Sequence, residues 1–209
     1  MRGCSVADVG LSVVPLICGR CAARMTAGKE QVAYQCSGCG SVWELAGGRL
    51  ALREVGHFAG NGTIRLPFWY ASFSINCLEG CIDDSAGFMK LCGSAKSSAA
   101  VSEPPFVFVP AFSLPAQQAI RLGRNMTVRF PTLQTSIAQE LSIEPVTLSE
   151  VDAPLMAELI LLATLVEERR NNPSFLASFG AVLSGLRLVS IPFMREGNRL
   201  IQSGMNLEV

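Results

Sequence analysis

Two pairs of closely spaced cysteines constrain the fold of this chain more than any other feature of its sequence. Cys18 and Cys21 form one CxxC pair, and Cys36 and Cys39 form a second pair after 14 intervening residues. Two residues between thiols allow a tight turn that points both sulfurs at one centre. Two such turns facing each other supply the four sulfur ligands of a tetrahedral zinc site. The pattern therefore predicts one structural metal ion bound by these four cysteines.

Zinc is the metal that this ligand set favours, but the sequence leaves three alternatives open. An iron site of the rubredoxin type uses the same two turns and implies electron transfer. Disulfides need an oxidising compartment, and the segment after Arg2 lacks the pattern of an export signal. A redox-active CxxC pair usually lies at a helix start in a βαβ unit. A closed site of four thiolates leaves no open coordination position, so it is expected to fold a module rather than to catalyse.

Strand-like segments surround the second cysteine pair. Residues 31–35 lead into it and residues 41–45 leave it with alternating apolar and polar side chains, and residues 49–53 follow a Gly-Gly turn. This arrangement resembles the zinc ribbon, a family built on two cysteine turns and a small antiparallel sheet. The resemblance covers about residues 15–55. It implies a bound metal and this fold but no particular function, because zinc ribbons occur in transcription factors, ribosomal proteins, enzymes and scaffolds.

The other four cysteines have a less specific spacing. Cys77, Cys81 and Cys92 form a CxxxC-x10-C pattern, and Cys4 is a conceivable fourth ligand. A helix would place Cys77 and Cys81 on one face, so a second metal site is geometrically possible. No standard iron–sulfur spacing matches, and a free cysteine is often a small buried hydrophobic residue. We therefore expect a packing role and keep the second metal site as the alternative.

Beyond the ribbon, the sequence predicts an α+β domain with antiparallel strands and two main helices over residues 63–209. A tail (residues 1–14) precedes the ribbon, and a Gly-rich joint follows Val55. Residues 76–103 are rich in Gly, Ser and Ala and are predicted to form an irregular loop. Apolar runs predict strands at Thr63–Ile75, Pro104–Leu114 and Leu186–Met194, with a return strand near Arg199–Met205.

Two helices are predicted in this domain. The first extends from Pro115 to about Arg129, with proline at the favoured first position. The second follows a capping box at residues 147–150, and Pro154 falls in its first turns. Its apolar residues recur at helical spacing on more than one side: Val151, Leu155, Met156, Leu159, Ile160, Leu161, Leu162, Leu165 and Val166. Such a helix is either buried in its own domain or shared with a partner.

The composition indicates a folded protein with an apolar surface. Charged residues are 16% of the chain, against roughly 25% in ordinary soluble domains, and hydrophobic residues are 49%. Such a chain can bury ample apolar surface, which excludes intrinsic disorder. A transmembrane helix needs about 20 consecutive apolar residues, and prolines or charges interrupt every apolar run. We therefore expect a cytoplasmic protein without a membrane span, whose apolar surface contacts a protein partner or a second copy.

Nucleic-acid binding is an alternative that the charge balance argues against. The chain has 17 Lys+Arg and 17 Asp+Glu, whereas nucleic-acid-binding proteins usually carry a basic excess or stripe. Binding would have to use the ribbon arginines Arg20, Arg24, Arg49 and Arg53. A second set, Arg121, Arg124 and Arg129 with Arg65, is interpreted as a solvated face.

No catalytic constellation is evident in the sequence. His57 is the only histidine, and its position in the Gly-rich joint predicts a surface imidazole. The chain has no nucleophile-elbow, phosphate-loop, dinucleotide-binding or EF-hand motif. The sequence therefore predicts a non-catalytic zinc-binding accessory or scaffold protein that mediates protein–protein assembly. A nucleic-acid-associated ribbon protein and an electron-transfer protein are the alternatives.

Overall fold

A computed structural model describes residues 13–93, 103–129, 135–136, 142–197, 199–202 and 207–208. Most of the predicted tail, and Cys4 with it, lie outside these residues. The strands are β1 (Ala33–Gln35), β2 (Val42–Ala46), β3 (Arg49–Arg53), β4 (Val55–Phe58), β5 (Ile64–Cys77), β6 (Gly80–Ile82), β7 (Phe106–Pro110), β8 (Thr135–Ser136), β9 (Gly180–Glu196), β10 (Arg199–Gln202) and β11 (Leu207–Glu208). The helices are α1 (Ser85–Leu91), α2 (Ala116–Arg129), α3 (Ala153–Thr164), α4 (Glu167–Arg170) and α5 (Pro173–Ser178).

The larger of two sheets is built around the long strands β5 and β9. They pair antiparallel from Ile64 opposite Phe193 to Asn76 opposite Gly180. β6 and β7 also pair with β5, while β4 and β10 also pair with β9. β8 extends the sheet from β4, and β11 extends it from β10. The β4–β9 pair is parallel and the others are antiparallel, so the predicted α+β class is confirmed with one parallel pair added.

Side-chain alternation along β5 divides the buried core into two clusters. Successive residues of a strand point to opposite faces of its sheet. One cluster contains the odd-numbered β5 residues Trp69, Phe73 and Ile75, together with Ile160 and Leu161 of α3. The other contains the even-numbered β5 residues Leu66, Phe68 and Tyr70, together with Leu122 and Met126 of α2. Because apolar side chains cover both faces of β5, its sequence is a nearly continuous apolar run.

The cysteine module (residues 13–53) contains the smaller sheet and packs directly against the remaining domain, which we call the body. This sheet is antiparallel and has the strand order β1–β2–β3. Ala33 and Val42 belong to the same buried cluster as Trp69 of the body. Ala33 also forms an antiparallel bridge with Val146. The module therefore contributes apolar side chains to the core of the body.

The Gly-rich joint after the module is shorter than predicted. Glu54 alone separates β3 from β4, and β4 begins at Val55. Gly56 lies inside this strand, opposite Val189 of β9. Pairing with a buried central strand overrides the local turn preference of glycine, as tertiary context commonly does for β-structure. The remaining joint is limited to residues 59–63.

The second main helix begins later than its predicted capping box. α3 starts at Ala153. The Ser149 hydroxyl accepts a hydrogen bond from the Asp152 amide (3.2 Å) and donates to the Asp152 carboxylate (2.6 Å), so the cap forms at Ser149, two residues after Thr147, where the predicted box begins. The Leu148 carbonyl accepts a hydrogen bond from Trp69 Nε1 (2.9 Å). The backbone before α3 is thus committed to contacts with β5, which the local capping signal could not reveal.

The first main helix matches its prediction closely. α2 begins directly after Pro115 and ends at Arg129. Its 14 residues make it the longest helix in the described ranges. None of the helices described is both long and apolar enough to cross a membrane.

The segment predicted as an irregular loop, residues 76–103, contains regular structure. β5 extends to Cys77 and forms a hairpin with β6, and α1 follows. The Asp84 carboxylate caps α1 by accepting a hydrogen bond from the Gly87 amide (2.7 Å). Because α1 buries only Phe88 and Leu91, it has too short an apolar pattern to be recognised by periodicity.

Candidate metal centre

The thiols of the two CxxC pairs converge on one point. The Sγ atoms of Cys18, Cys21, Cys36 and Cys39 all lie within 4.8 Å of one another. Cys21 and Cys36 are 3.4 Å apart, and Cys18 and Cys39 are 3.6 Å apart. A tetrahedral ion with bonds of about 2.3 Å requires sulfur separations of about 3.8 Å, whereas a disulfide requires about 2.05 Å. The four thiols are therefore free and are placed to hold one metal ion.

The two cysteine turns share one backbone geometry. The Ala22 amide donates to the Cys18 carbonyl (2.9 Å), and the Gly40 amide donates to the Cys36 carbonyl (2.8 Å). Ala22 and Gly40 both adopt left-handed conformations, with φ of 58° and 71°. Glycine does so freely, but an alanine there costs about 1–2 kcal/mol. The first turn keeps the shape of the second despite this strain, since both must present their sulfurs to the same centre.

Ser41 and Trp43 form a hydrogen-bonded layer behind the sulfurs. The buried Ser41 Oγ lies 3.3 Å from Cys18 Sγ and 3.1 Å from Cys39 Sγ. Trp43 Nε1 donates to the same hydroxyl (2.9 Å). A Cβ on Gly19 would lie 2.6 Å from the Trp43 ring, so the indole covers the backbone of the first turn. The cysteine pattern does not predict a role for either residue, although a serine and a tryptophan stand two and four positions after the last cysteine.

This layer determines which thiols lose their protons most readily. The Ser41 hydroxyl lowers the pKa of Cys18 to about 5 and also lowers the pKa of Cys39. The Ala23 amide lowers the pKa of Cys21, but neighbouring thiols outweigh it and raise that pKa to about 12. Sulfurs this close cannot all be ionised without a cation between them. A metal ion would displace the remaining protons, because the ligand is the thiolate.

Replacing Ser41 with alanine is expected to weaken metal binding about 10–100-fold, the usual effect of removing a hydrogen bond to a ligand. The substitution removes the hydroxyl beside two sulfurs and also leaves Trp43 Nε1 without its acceptor. Competition with a chromogenic chelator measures the affinity. Ser37→Ala is the matched control, because Ser37 is exposed in the second turn. Equal affinities for the two variants would contradict the assigned role of Ser41.

A second polar cluster joins the cysteine module to the body. Arg53, the last residue of β3, donates to the carboxylates of Glu44 (2.5 Å) and Glu150 (2.7 Å). Its guanidinium also lies over the Trp69 ring, 5.8 Å from the centroid. Glu44 is only 4% exposed, so its charge depends on this partner. Arg53 was predicted to belong to a nucleic-acid patch, but two carboxylates neutralise it.

The other arginines of the two predicted patches are mostly at the surface. Exposed arginines are Arg20, Arg24 and Arg49 on the module, and Arg121, Arg124 and Arg129 on α2. Arg65 is half-buried and donates to the Phe58 carbonyl (3.1 Å). Arg65 is therefore bound within the body and does not extend the α2 set.

The structure does not assemble the predicted second metal site. In the β5–β6 hairpin Cys77 lies opposite Gly80, whereas Cys81 lies opposite Asn76. Neighbouring positions of a ladder point to opposite faces, so the two thiols point apart. Cys92 lies at the end of α1, where burial raises its pKa. Within the described ranges these cysteines join no cluster of three ligands.

His57 is half-buried in β4, not exposed in a joint as predicted. Its Nδ1 lies 2.7 Å from Ser190 Oγ, and Arg65 donates to the same oxygen (3.1 Å). Because a guanidinium only donates, the Ser190 oxygen accepts from Arg65. Burial and the Arg65 charge lower the pKa of His57. Ser190 is fully buried, so its hydroxyl is out of contact with solvent, whereas the His57 ring is partly exposed.

Comparison with protein-family models, with curated proteins and with solved structures gave no match for this chain. The functional assignment therefore depends on the geometry described above.

Proposed function

We propose that this protein is a non-catalytic assembly protein whose N-terminal module is a zinc ribbon. One zinc ion bound by Cys18, Cys21, Cys36 and Cys39 would hold the two turns together. Because side chains of the module belong to the core of the body, an ion that stabilises the module would also stabilise the body and the surface that it presents. Protein partners then dock on that surface. The observation that carries this proposal is an exposed apolar stripe on α3.

The ligand chemistry supports a structural zinc ion. Four sulfur ligands at nearly tetrahedral separations suit zinc, and they leave no position for a substrate or a water molecule. An iron ion accepts the same ligands but would give strong visible absorption. Metal quantification with an absorption spectrum on one sample therefore separates zinc from the electron-transfer alternative.

The stripe on α3 supports a role in assembly. Val151, just before the helix, is 86% exposed, and Leu155 and Leu159 are 66% and 42% exposed. They lie four residues apart, so they share one face of the helix. The opposite face is buried in the body through Ala153, Ala157, Ile160, Leu161 and Thr164. Large apolar side chains that are contiguous at a surface mark interaction sites.

The double variant Leu155→Asp/Leu159→Asp is expected to release the protein from its assembly. Two carboxylates on the docking face oppose burial of that face, while the core of the body remains intact. The measurement is the hydrodynamic size in extracts of cells expressing the protein at its native level. Leu78→Asp is the control, because Leu78 is 62% exposed in the β5–β6 turn. A wild-type protein that elutes as a monomer would contradict the proposed function.

A further inference from the structure

The exposed stripe has the spacing of a helix–helix seam. Leu155, Leu159 and Leu162 are separated by four and then three residues, which is the alternation of a coiled-coil seam. The first two are exposed, whereas Leu162 is half-buried at the end of the face and packs against the core cluster of the body. A second helix can place its own apolar residues between these side chains. The occupant that fits this face is therefore an amphipathic helix.

Two carboxylates flank the stripe: Asp152 is three residues before Leu155, and Glu158 is three residues after it. Residues 149–168 contain five acidic residues and no lysine or arginine. Of the five, Glu150 shares the Arg53 guanidinium with Glu44. The other four, none in an ion pair among the described residues, are Asp152, Glu158, Glu167 and Glu168. Asp152, Glu167 and Glu168 are exposed, and Glu158 is half-buried beside Leu159.

Arg170 of α4 is exposed beside Glu167 and Glu168 and is in none of the ion pairs of the described residues. It therefore offsets part of their charge, and the acidic rim of the stripe is limited to Asp152 and Glu158. Arg53 is held between Glu44 and Glu150, and Arg169 pairs with Glu79 (2.8 Å). Charges of one sign around an apolar face repel like-charged partners and favour a partner of the opposite sign. The rim therefore selects among the helices that the stripe could accommodate.

Building on the proposed function, we propose that the α3 stripe binds an amphipathic helix of another protein whose apolar face is flanked by lysine or arginine. The apolar seam contributes the buried contact, and the acidic rim sets the specificity. A second copy of this chain fits less well, because two α3 helices face to face would bring two acidic rims together. An anionic membrane surface is repelled by the same carboxylates.

Two synthetic helical peptides test this proposal with the full-length, metal-loaded protein. Both carry leucines at the seam positions; one has lysines at the flanking positions, and the other has glutamates. The wild-type protein is expected to bind the lysine peptide about ten-fold more tightly, as measured by fluorescence anisotropy. The preference should shrink as NaCl rises from about 0.05 to 0.5 M, because salt screens exposed charges.

Two variants assign the effect to the stripe and its rim. Leu155→Asp should abolish binding of both peptides, whereas the Leu78→Asp control should bind as wild type does. Glu158→Lys should narrow or reverse the preference between the peptides while leaving the seam intact. Circular dichroism verifies that each variant is folded.

Four outcomes would overturn the proposed partner class. These are equal affinity for both peptides, an unchanged preference in Glu158→Lys, tighter binding to phosphatidylglycerol vesicles, and a dimer that Leu159→Asp dissociates. The dimer would overturn the heterologous partner but leave the assembly function standing. Failure of both peptides to bind, with a monomer in native extracts, would remove the assembly function as well.

Discussion

Cys36→Ser is expected to abolish metal binding and to unfold the cysteine module. Cys36 is 1% exposed and its sulfur lies 3.4 Å from that of Cys21. A serine hydroxyl is a weaker ligand than the thiolate, and no water molecule can enter this buried position to take its place. Structural zinc contributes about 10–16 kcal/mol of apparent binding free energy in small zinc modules. A sheet of three short strands has no comparable source of stability. Losing the ion should therefore unfold the module completely.

The damage should extend into the body. Ala33 and Val42 of the module belong to the buried cluster around Trp69, so unfolding the module exposes part of that cluster to water. Metal content by elemental analysis and the melting temperature by calorimetry measure both effects. Cys81→Ser is the control, because Cys81 is exposed and outside the metal-ligand cluster. A Cys36→Ser protein that keeps one equivalent of metal would refute the four-cysteine site.

Trp69→Ala is expected to lower the free energy of unfolding by about 3–5 kcal/mol, the usual cost of removing a large aromatic side chain from a core. Trp69 is 1% exposed and connects three parts of the molecule. It lies in β5, its indole donates to the Leu148 carbonyl before α3, and its ring lies against Arg53 of the module. Urea denaturation measures the change.

Trp69→Phe distinguishes the contribution of the aromatic ring to stability from that of the indole hydrogen bond. Phenylalanine keeps most of the apolar area but cannot donate to the Leu148 carbonyl, so a smaller cost of about 1–2 kcal/mol is expected. The reduced anchoring of the segment before α3 should also increase amide hydrogen exchange there. If the alanine variant were as stable as the phenylalanine variant, Trp69 would not have the connecting role assigned to it.

Several elements could be predicted from the sequence because their signals are local. The two CxxC pairs predicted the cluster of four thiols, since the spacing alone makes each turn. The apolar runs predicted β5, β7 and β9, and Pro115 marked the start of α2. These predictions depend on periodicity and on turn geometry, which neighbours in the chain determine.

Other features could not be predicted because they depend on residues far apart in the chain. The start of α3 is displaced from the beginning of the predicted capping box, in which the Leu148 carbonyl accepts a hydrogen bond from Trp69, 79 residues away. His57 was assigned to the surface because nothing nearby in sequence indicates Ser190 of β9. The same holds for Arg53, whose partner Glu150 lies 97 residues later.

The sequence by itself determined the cluster of four thiols, the α+β class and the apolar character of α3. Its periodicity left open whether α3 is buried or shared with a partner, because both faces of the helix are apolar. Only the tertiary structure showed which face is buried and which is exposed. The body covers the face that carries Ala157 and Ile160, and it leaves Leu155 and Leu159 exposed. Burial is a property of how elements stack in space, so no local pattern could reveal which of two apolar faces would remain exposed.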